Sequence, residues 1–219
     1  MKREIDIKDI SDGKLYTSND MVKTDCHDCI GCSDCCKGMG SSIILDPMDI
    51  WRLTYHLCTD FNSLLDRFLE LGVVDGLILP NLKMAGEKEC CSFLNEEGRC
   101  SIHGFRPGIC RLFPMGRIYE EQGFRYFLQS YECSKADKTK IKVKKWLGIS
   151  DIKSYEKYIW EWHQFIHCCE EALKELEEGQ RKVLNLYLLK TFFQTTYEGE
   201  DFYHEFYKRL GNAREMFGF

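Results

Sequence analysis

Cys26-His27-Asp28-Cys29-Ile30-Gly31-Cys32-Ser33-Asp34-Cys35-Cys36 decides how this chain is read. Cysteine recurs at every third position and the run closes on an adjacent pair. Two residues between thiols let a tight loop aim successive sulfurs inward. A thiolate is a soft anionic ligand, suited to iron or zinc and not to magnesium or calcium. The bacterial ferredoxin loop spaces its fourth cysteine by three residues and follows it with proline. Here the third gap is again two and no proline follows, so the run is ligand-like without being a ferredoxin loop. Adjacent side chains diverge, so Cys35 and Cys36 suit two different sites, or one of them is spare.

Cysteine stays dense beyond this run. The chain has thirteen in 219 residues, ten of them between Cys26 and Cys110. Cys91, Cys100, Cys110 and Cys133 each sit in or beside a tight turn, a usual setting for a ligand on a firm scaffold. With Cys29, Cys32, Cys35 and Cys36 they make eight candidate metal ligands. That is enough for two four-cysteine sites, or for one cluster and a few supporting thiols. The partition and the metal both stay open at this point. Cys26 and Cys90 stand beside stronger candidates and are alternates. Cys58, Cys168 and Cys169 read as ordinary buried thiols, Cys169 because it lies on an apolar helical stripe. Arg106 and Arg111 flank Cys110, where a cation either favours thiolate and steadies an anionic cluster or forms an ordinary salt bridge.

Composition bounds the alternatives. Hydrophobic residues make up 44% and charged residues 30%, the balance of a folded globular chain. No stretch approaches the roughly 18 to 20 apolar residues that cross a bilayer. The opening Met1-Lys2-Arg3-Glu4-Ile5-Asp6 lacks the apolar core of a secretory signal. We therefore expect a cytoplasmic protein with no membrane partner. Thiols stay reduced there, so dense cysteine points to metal rather than disulfides. The net charge of −5 argues against a general nucleic-acid binder, which needs a basic face. Lys135, Lys138, Lys140, Lys142, Lys144 and Lys145 form a local exception. They read as a solvated linker and helix start, with an acidic docking partner as the lesser alternative.

The pattern predicts an α+β, helix-dominated fold. A small cysteine-rich domain with short hairpins, residues 1–134 with a polar lead-in, is followed by a Lys-rich connection over 135–149. A helical hairpin or three-helix extension over 150–219 packs on it. Ser42 to Leu45 is a strand candidate. Asp46-Pro47 starts a helix over 47–58, and Asp46 and Asp49 read as cap and first-turn carboxylates. A second helix starts at Thr59 or Asp60 and is closed by Gly72. Val73 to Met84 reads as a hairpin-like piece that Gly76 and Pro80 break up. Hairpins are expected around Asn95–Gly98 and Glu120–Gly123, with one helical turn between Arg106 and Pro114. Tyr155, Tyr158, Ile159, Trp162, Phe165, Ile166, Cys169, Leu173 and Leu176 follow helical spacing until Gly179. Val183–Tyr197 and Phe202–Phe217 complete the helices. His163 and His167, one turn apart, could grip a metal but read first as flanking residues.

Several of these segments resemble a known family. Cys29-Ile-Gly-Cys32-Ser-Asp-Cys35-Cys36 is similar to the hallmark of the YkgJ-type CxxCxxCC cysteine-cluster proteins, whose domain is described as chelating zinc or iron. Ile44-Leu45-Asp46-Pro47 with Asp49, Cys91-Ser-Phe-Leu with Gly98-Arg-Cys100-Ser-Ile, and Arg106-Pro107-Gly-Ile-Cys110-Arg111 with Phe113-Pro114 resemble its other segments. The resemblance covers roughly residues 26–134 and is specific in combination. His103 stands where the family usually has tyrosine. A related cysteine domain occurs in flagellin lysine N-methylases, where the resemblance implies an iron–sulfur site used in methyl transfer.

Three functional readings follow. The first is an iron–sulfur protein, of the 4Fe-4S type, with a redox or group-transfer role and a redox partner or protein substrate. The second is a zinc-binding structural or interaction module without catalysis. The third is a protein lysine methylase resembling the flagellin enzymes, although no glycine-rich loop for S-adenosylmethionine and no radical-SAM cysteine triplet is present.

Overall fold

The computed structural model describes residues 7–26, 32–198 and 201–219. Helices alternate with short antiparallel pairs, so the fold is α+β, as the sequence implies. The chain forms two compact units that interleave: residues 1–40 with 84–157, and residues 41–83 with 158–219. These cut across the expected division, in which residues 1–134 formed one module. The segment 41–83 supplies apolar faces (Met48, Ile50, Leu53, Leu64, Leu69, Leu77 and Leu79 are all buried), and these belong with the aromatic helices.

In the first unit, Met21–Asp25 pairs antiparallel with Thr139–Lys142. Met115–Glu120 and Gly123–Leu128 make the expected hairpin, with Gly123 at φ +98 in its turn. Gly116 lies opposite Phe127, whose ring covers it so closely that a Cβ would sit 2.3 Å from the ring edge. Val22, Leu112, Met115, Tyr126, Val143 and Leu147 form the core. The polar lead-in is therefore structural: Tyr16 and Tyr126 exchange backbone hydrogen bonds of 2.8 and 2.9 Å, and Val22 and Thr24 are buried. The Lys-rich connection contains the expected helix start, but a strand takes the place of the solvated linker. It folds as the strand Thr139–Lys142 and the helix Val143–Leu147, ended by Gly148 at φ +65. Val143 and Leu147 point into the core while exposed lysines occupy the outer side, so counting lysines hid an apolar pattern.

In the second unit, Pro47–Leu57 is a helix with a reciprocal capping box. The Asp46 side chain accepts from the Asp49 amide at 2.9 Å, and the Asp49 side chain accepts from the Asp46 amide at 3.2 Å. Both carboxylates are thus used as caps. The next helix, Phe61–Arg67, starts at Asp60 as expected but stops before Gly72. Leu69–Val74 instead pairs with Leu77–Leu82 in a hairpin. Asp75 and Gly76, at φ +49 and +87, form its two-residue turn, a strong hairpin signal that outweighs the helical spacing of Leu64, Phe68 and Leu71. Ser42–Leu45 is extended and makes one isolated bridge, Ile44 to Asn81.

The long helix is Ile152–Glu175, and Glu178–Leu188 follows it. Gly179 lies inside the second helix rather than ending the first; the break falls at Leu176-Glu177, where Glu177 and Gln180 form a capping box. Asn185 ties that helix to the hairpin: its Oδ1 accepts from the Ile78 amide at 2.6 Å and its Nδ2 donates to the Gly76 carbonyl at 3.2 Å. A π-helical turn, Leu189–Gln194, delivers Phe192 and Phe193 to the core. Buried Arg209 of the last helix, Phe202–Phe217, donates to the carbonyls of Thr191, Thr195 and Thr196 and so closes that turn. Phe206, fully buried, packs edge-on against Tyr158 at 4.7 Å and stacks on Phe202 at 5.6 Å.

Candidate metal centre

The described candidate thiols lie in the first unit, most of them on short segments braced by backbone hydrogen bonds. Asp34–Cys36 is a single 3-10 turn, with the Cys36 amide donating to the Ser33 carbonyl at 2.9 Å. The Gly38 amide donates to the Glu89 carbonyl at 3.0 Å, and Lys37 bridges to Cys90, so Cys90–Cys91 lies beside that turn. Cys91 and Cys100 share one knuckle. Leu94 bridges to Cys100, Ser101 donates to the Phe93 carbonyl through both amide and hydroxyl, and Gly98 turns at φ +72. This segment is hairpin-like, as expected, with one bridge and a few loop hydrogen bonds in place of a full ladder.

These braces bring thiols together. Cys36 is within hydrogen-bonding reach of both Cys35 and Cys100. That contact lowers Cys35 to about 7 and Cys100 to about 6, with the Arg106 charge helping in both cases, while Cys36 is pushed up as the proton holder. Cys91 is buried and raised by that burial, and it feels Cys100, Cys35 and Cys90. Cys35 also faces the other way. With Cys26, Cys32 and Cys133 it lines a cavity of about 20 Å³, walled by Phe113, Pro114 and Trp146. That is room for one water-sized particle. The two groups meet at Cys35.

Arg106 donates to His103 Nε2 at 2.8 Å, which fixes that ring nitrogen as the acceptor. Its Nε is buried and has no hydrogen-bond partner among the described residues. Arg111 donates to the carbonyls of Arg106, Gly104 and Leu147, and so stiffens the loop that carries Arg106. Cys110 is half-buried on the short helix Gly108–Leu112 and is not among the residues lining the cavity. Cys29 lies outside the described residues. Cys58 and Cys168 are exposed and Cys169 is buried on the long helix. The twelve described cysteines are all free thiols rather than disulfides. Among the described residues, no three His, Cys, Asp or Glu side chains are already drawn together as a ligand set, His163 and His167 included. Cys26, Cys32 and Cys133 on one side and Cys36 and Cys100 on the other form a row linked through Cys35, not a finished coordination shell. Trp146 was invisible in the sequence reading. A lone tryptophan in a lysine-rich stretch was its only signal; its Nε1 donates to the Phe113 carbonyl at 3.2 Å.

A family model for CxxCxxCC, described as "Putative zinc- or iron-chelating domain", matches residues 28–144. The chain belongs to the CxxCxxCC family. No curated protein and no solved structure matches it. The CxxCxxCC match runs past the expected boundary at 134 and takes in the strand Thr139–Lys142, which pairs with Met21–Asp25. Cys26 and the pair Cys168-Cys169 fall outside it. The donor set suits a metal chelated as the CxxCxxCC description says: cysteine sulfurs on adjoining segments, with Cys35 and Cys100 shifted toward the thiolate that binds metal. Among the described residues, no helix is long and apolar enough to cross a membrane.

Proposed function

We propose that this chain is a cytoplasmic, thiolate-ligated iron–sulfur protein with a redox or group-transfer role. The observation that carries this reading is the buried Nε of Arg106, without a hydrogen-bond partner among the described residues, beside Cys35 and Cys100. A buried donor without an acceptor costs about 1–3 kcal/mol. An anionic, sulfur-rich group held by those two cysteines would supply the acceptor and the opposing charge. The ligands we assign are drawn from Cys29, Cys32, Cys35, Cys36, Cys91, Cys100, Cys110 and Cys133, with Cys26 and Cys90 as alternates. A bound 4Fe-4S cluster would supply one-electron chemistry, to be exchanged with a redox partner or a protein substrate. The chain's own residues set its environment. Arg106 opposes the negative charge, Arg111 holds the Arg106 loop in place, and Phe113 and Trp146 limit water at the Cys35 side.

A second reading is a mononuclear zinc module, favoured by the size of the cavity at Cys26, Cys32, Cys35 and Cys133, which is that of one ion. Anaerobic purification followed by a visible spectrum and assays of iron, zinc and acid-labile sulfide separates the two. Brown protein with sulfide supports the cluster. Colourless protein with stoichiometric zinc and no sulfide overturns it. Methyl transfer would require S-adenosylmethionine to bind the cluster-loaded protein; absence of heat on titration removes that version.

A further inference from the structure

A site in the second unit is independent of the thiols. Trp51 and Tyr55 form one column of the helix Pro47–Leu57, and Arg52 and His56 form the adjacent one. These four side chains line an open groove of about 300 Å³, at the lower end for small-molecule sites. Trp51 is anchored on Phe202 at 5.3 Å and lies 6.1 Å from Tyr55, whose ring meets the His56 ring edge-on at 5.2 Å. Tyr55 is 58% exposed, so the aromatic wall is not core. Arg52 Nη1 is buried and has no hydrogen-bond partner among the described residues.

A guanidinium nitrogen taken out of water without an acceptor is destabilising unless something else supplies one. Its fork suits a carboxylate or a phosphate, and the neighbouring indole and phenol offer flat faces. We propose that this groove binds a small planar organic anion, a single aromatic ring carrying a carboxylate or phosphate. The anion pairs with Arg52 and the ring lies against Trp51 and Tyr55. The groove is too small for a folded partner, and a bare ion would leave the aromatic wall uncovered.

The test titrates the full-length protein with four probes: benzoate, phenyl phosphate, inorganic phosphate and benzyl alcohol. The Trp51 indole N–H resonance, assigned through Trp51→Phe, is the readout. Benzoate or phenyl phosphate should shift it saturably at millimolar concentration, and which of the two binds tighter identifies the acid. Arg52→Gln should weaken that binding about ten-fold or more, as expected for one lost charge-assisted hydrogen bond. Tyr55→Ala, at an exposed position, should weaken it several-fold and leave the fold intact. Arg52→Met should keep or raise the thermal midpoint, because the buried nitrogen is held for a ligand and not for the fold. The proposal is overturned if neither ring-bearing acid binds, if inorganic phosphate or benzyl alcohol binds as tightly as they do, or if Arg52→Gln binds like the parent. A lowered midpoint in Arg52→Met would make Arg52 a structural residue and overturn it equally.

Discussion

Around Cys35 the chain is held by turns of a few residues and isolated bridges, such as Lys37 to Cys90 and Leu94 to Cys100. Around Phe206 it is held by helices whose aromatic rings touch one another at 4.7–6.1 Å. The first region sets its thiols on short loops beside a small apolar core, and the second packs aromatic rings together with a few buried polar groups such as Asn185 and Arg209. The difference teaches that the two units obtain their stability from different sources. Loops that bury little apolar surface need a cross-link, which metal would provide. Interlocked rings need none.

That contrast can be broken experimentally, and the largest effect is expected at the thiols. Cys100→Ser should remove the metal and unfold the first unit, since binding energies of about 10–16 kcal/mol in small thiolate zinc domains are folding energy. Hydrogen exchange should then show lost protection over Met115–Leu128 and retained protection over Phe202–Phe217. Uniform loss in both would mean that the units do not differ as argued. Phe206→Ala is the converse. It should destabilise the second unit by about 3–5 kcal/mol through an unfilled cavity, with metal content unchanged. Urea unfolding followed by near-ultraviolet circular dichroism measures it, and parallel loss of metal would contradict the separation.

Smaller effects sharpen the picture of the second unit. Asn185→Ala leaves the Ile78 amide and the Gly76 carbonyl without their partner and should cost about 1–3 kcal/mol. Faster exchange at Ile78 is the specific sign; an unchanged Ile78 would show that the clasp is unimportant. The smallest effect concerns His163, which burial lowers to about 4, with His167 adding to the shift. The unfolded chain binds this proton near the ordinary ~6.5 and the folded chain only near 4. Stability from this residue is therefore full above about 6.5 and is lost as the pH falls toward 4. His163→Gln should flatten the unfolding midpoint between pH 7 and 5, and an unaltered slope would assign the pH dependence elsewhere.

Much of this was legible in the sequence where one short-range rule decided the outcome. Asp46-Pro47 marked a helix start because a capping carboxylate and a proline act within one turn. The stripe from Tyr155 to Leu173 was legible because nothing interrupts its period. The helix closing at Gly72 was misjudged because apolar residues at Leu64, Phe68 and Leu71 satisfy helical spacing, while the deciding Asp75-Gly76 turn lies just beyond. The interleaving of units was not legible, because it depends on which apolar faces fit each other, and spacing carries no such information. At the site, the sequence offered candidate thiols but not which of them lie together. Their meeting at Cys35, the buried nitrogen of Arg106 and the Trp146 wall required three-dimensional neighbours.

The interleaved order also bears on synthesis. A ribosome releases residues 41–83 long before residues 158–219, which hold the aromatic rings that cover them. At ~5–20 residues per second, the apolar hairpin and its helices wait on the order of ten seconds without their cover. Cys133, by contrast, emerges ahead of every residue of the long helix, so the thiol row is complete while the other half is still half-made. The nascent chain is thus exposed to aggregation through Leu69–Leu82 and not through its cysteine loops.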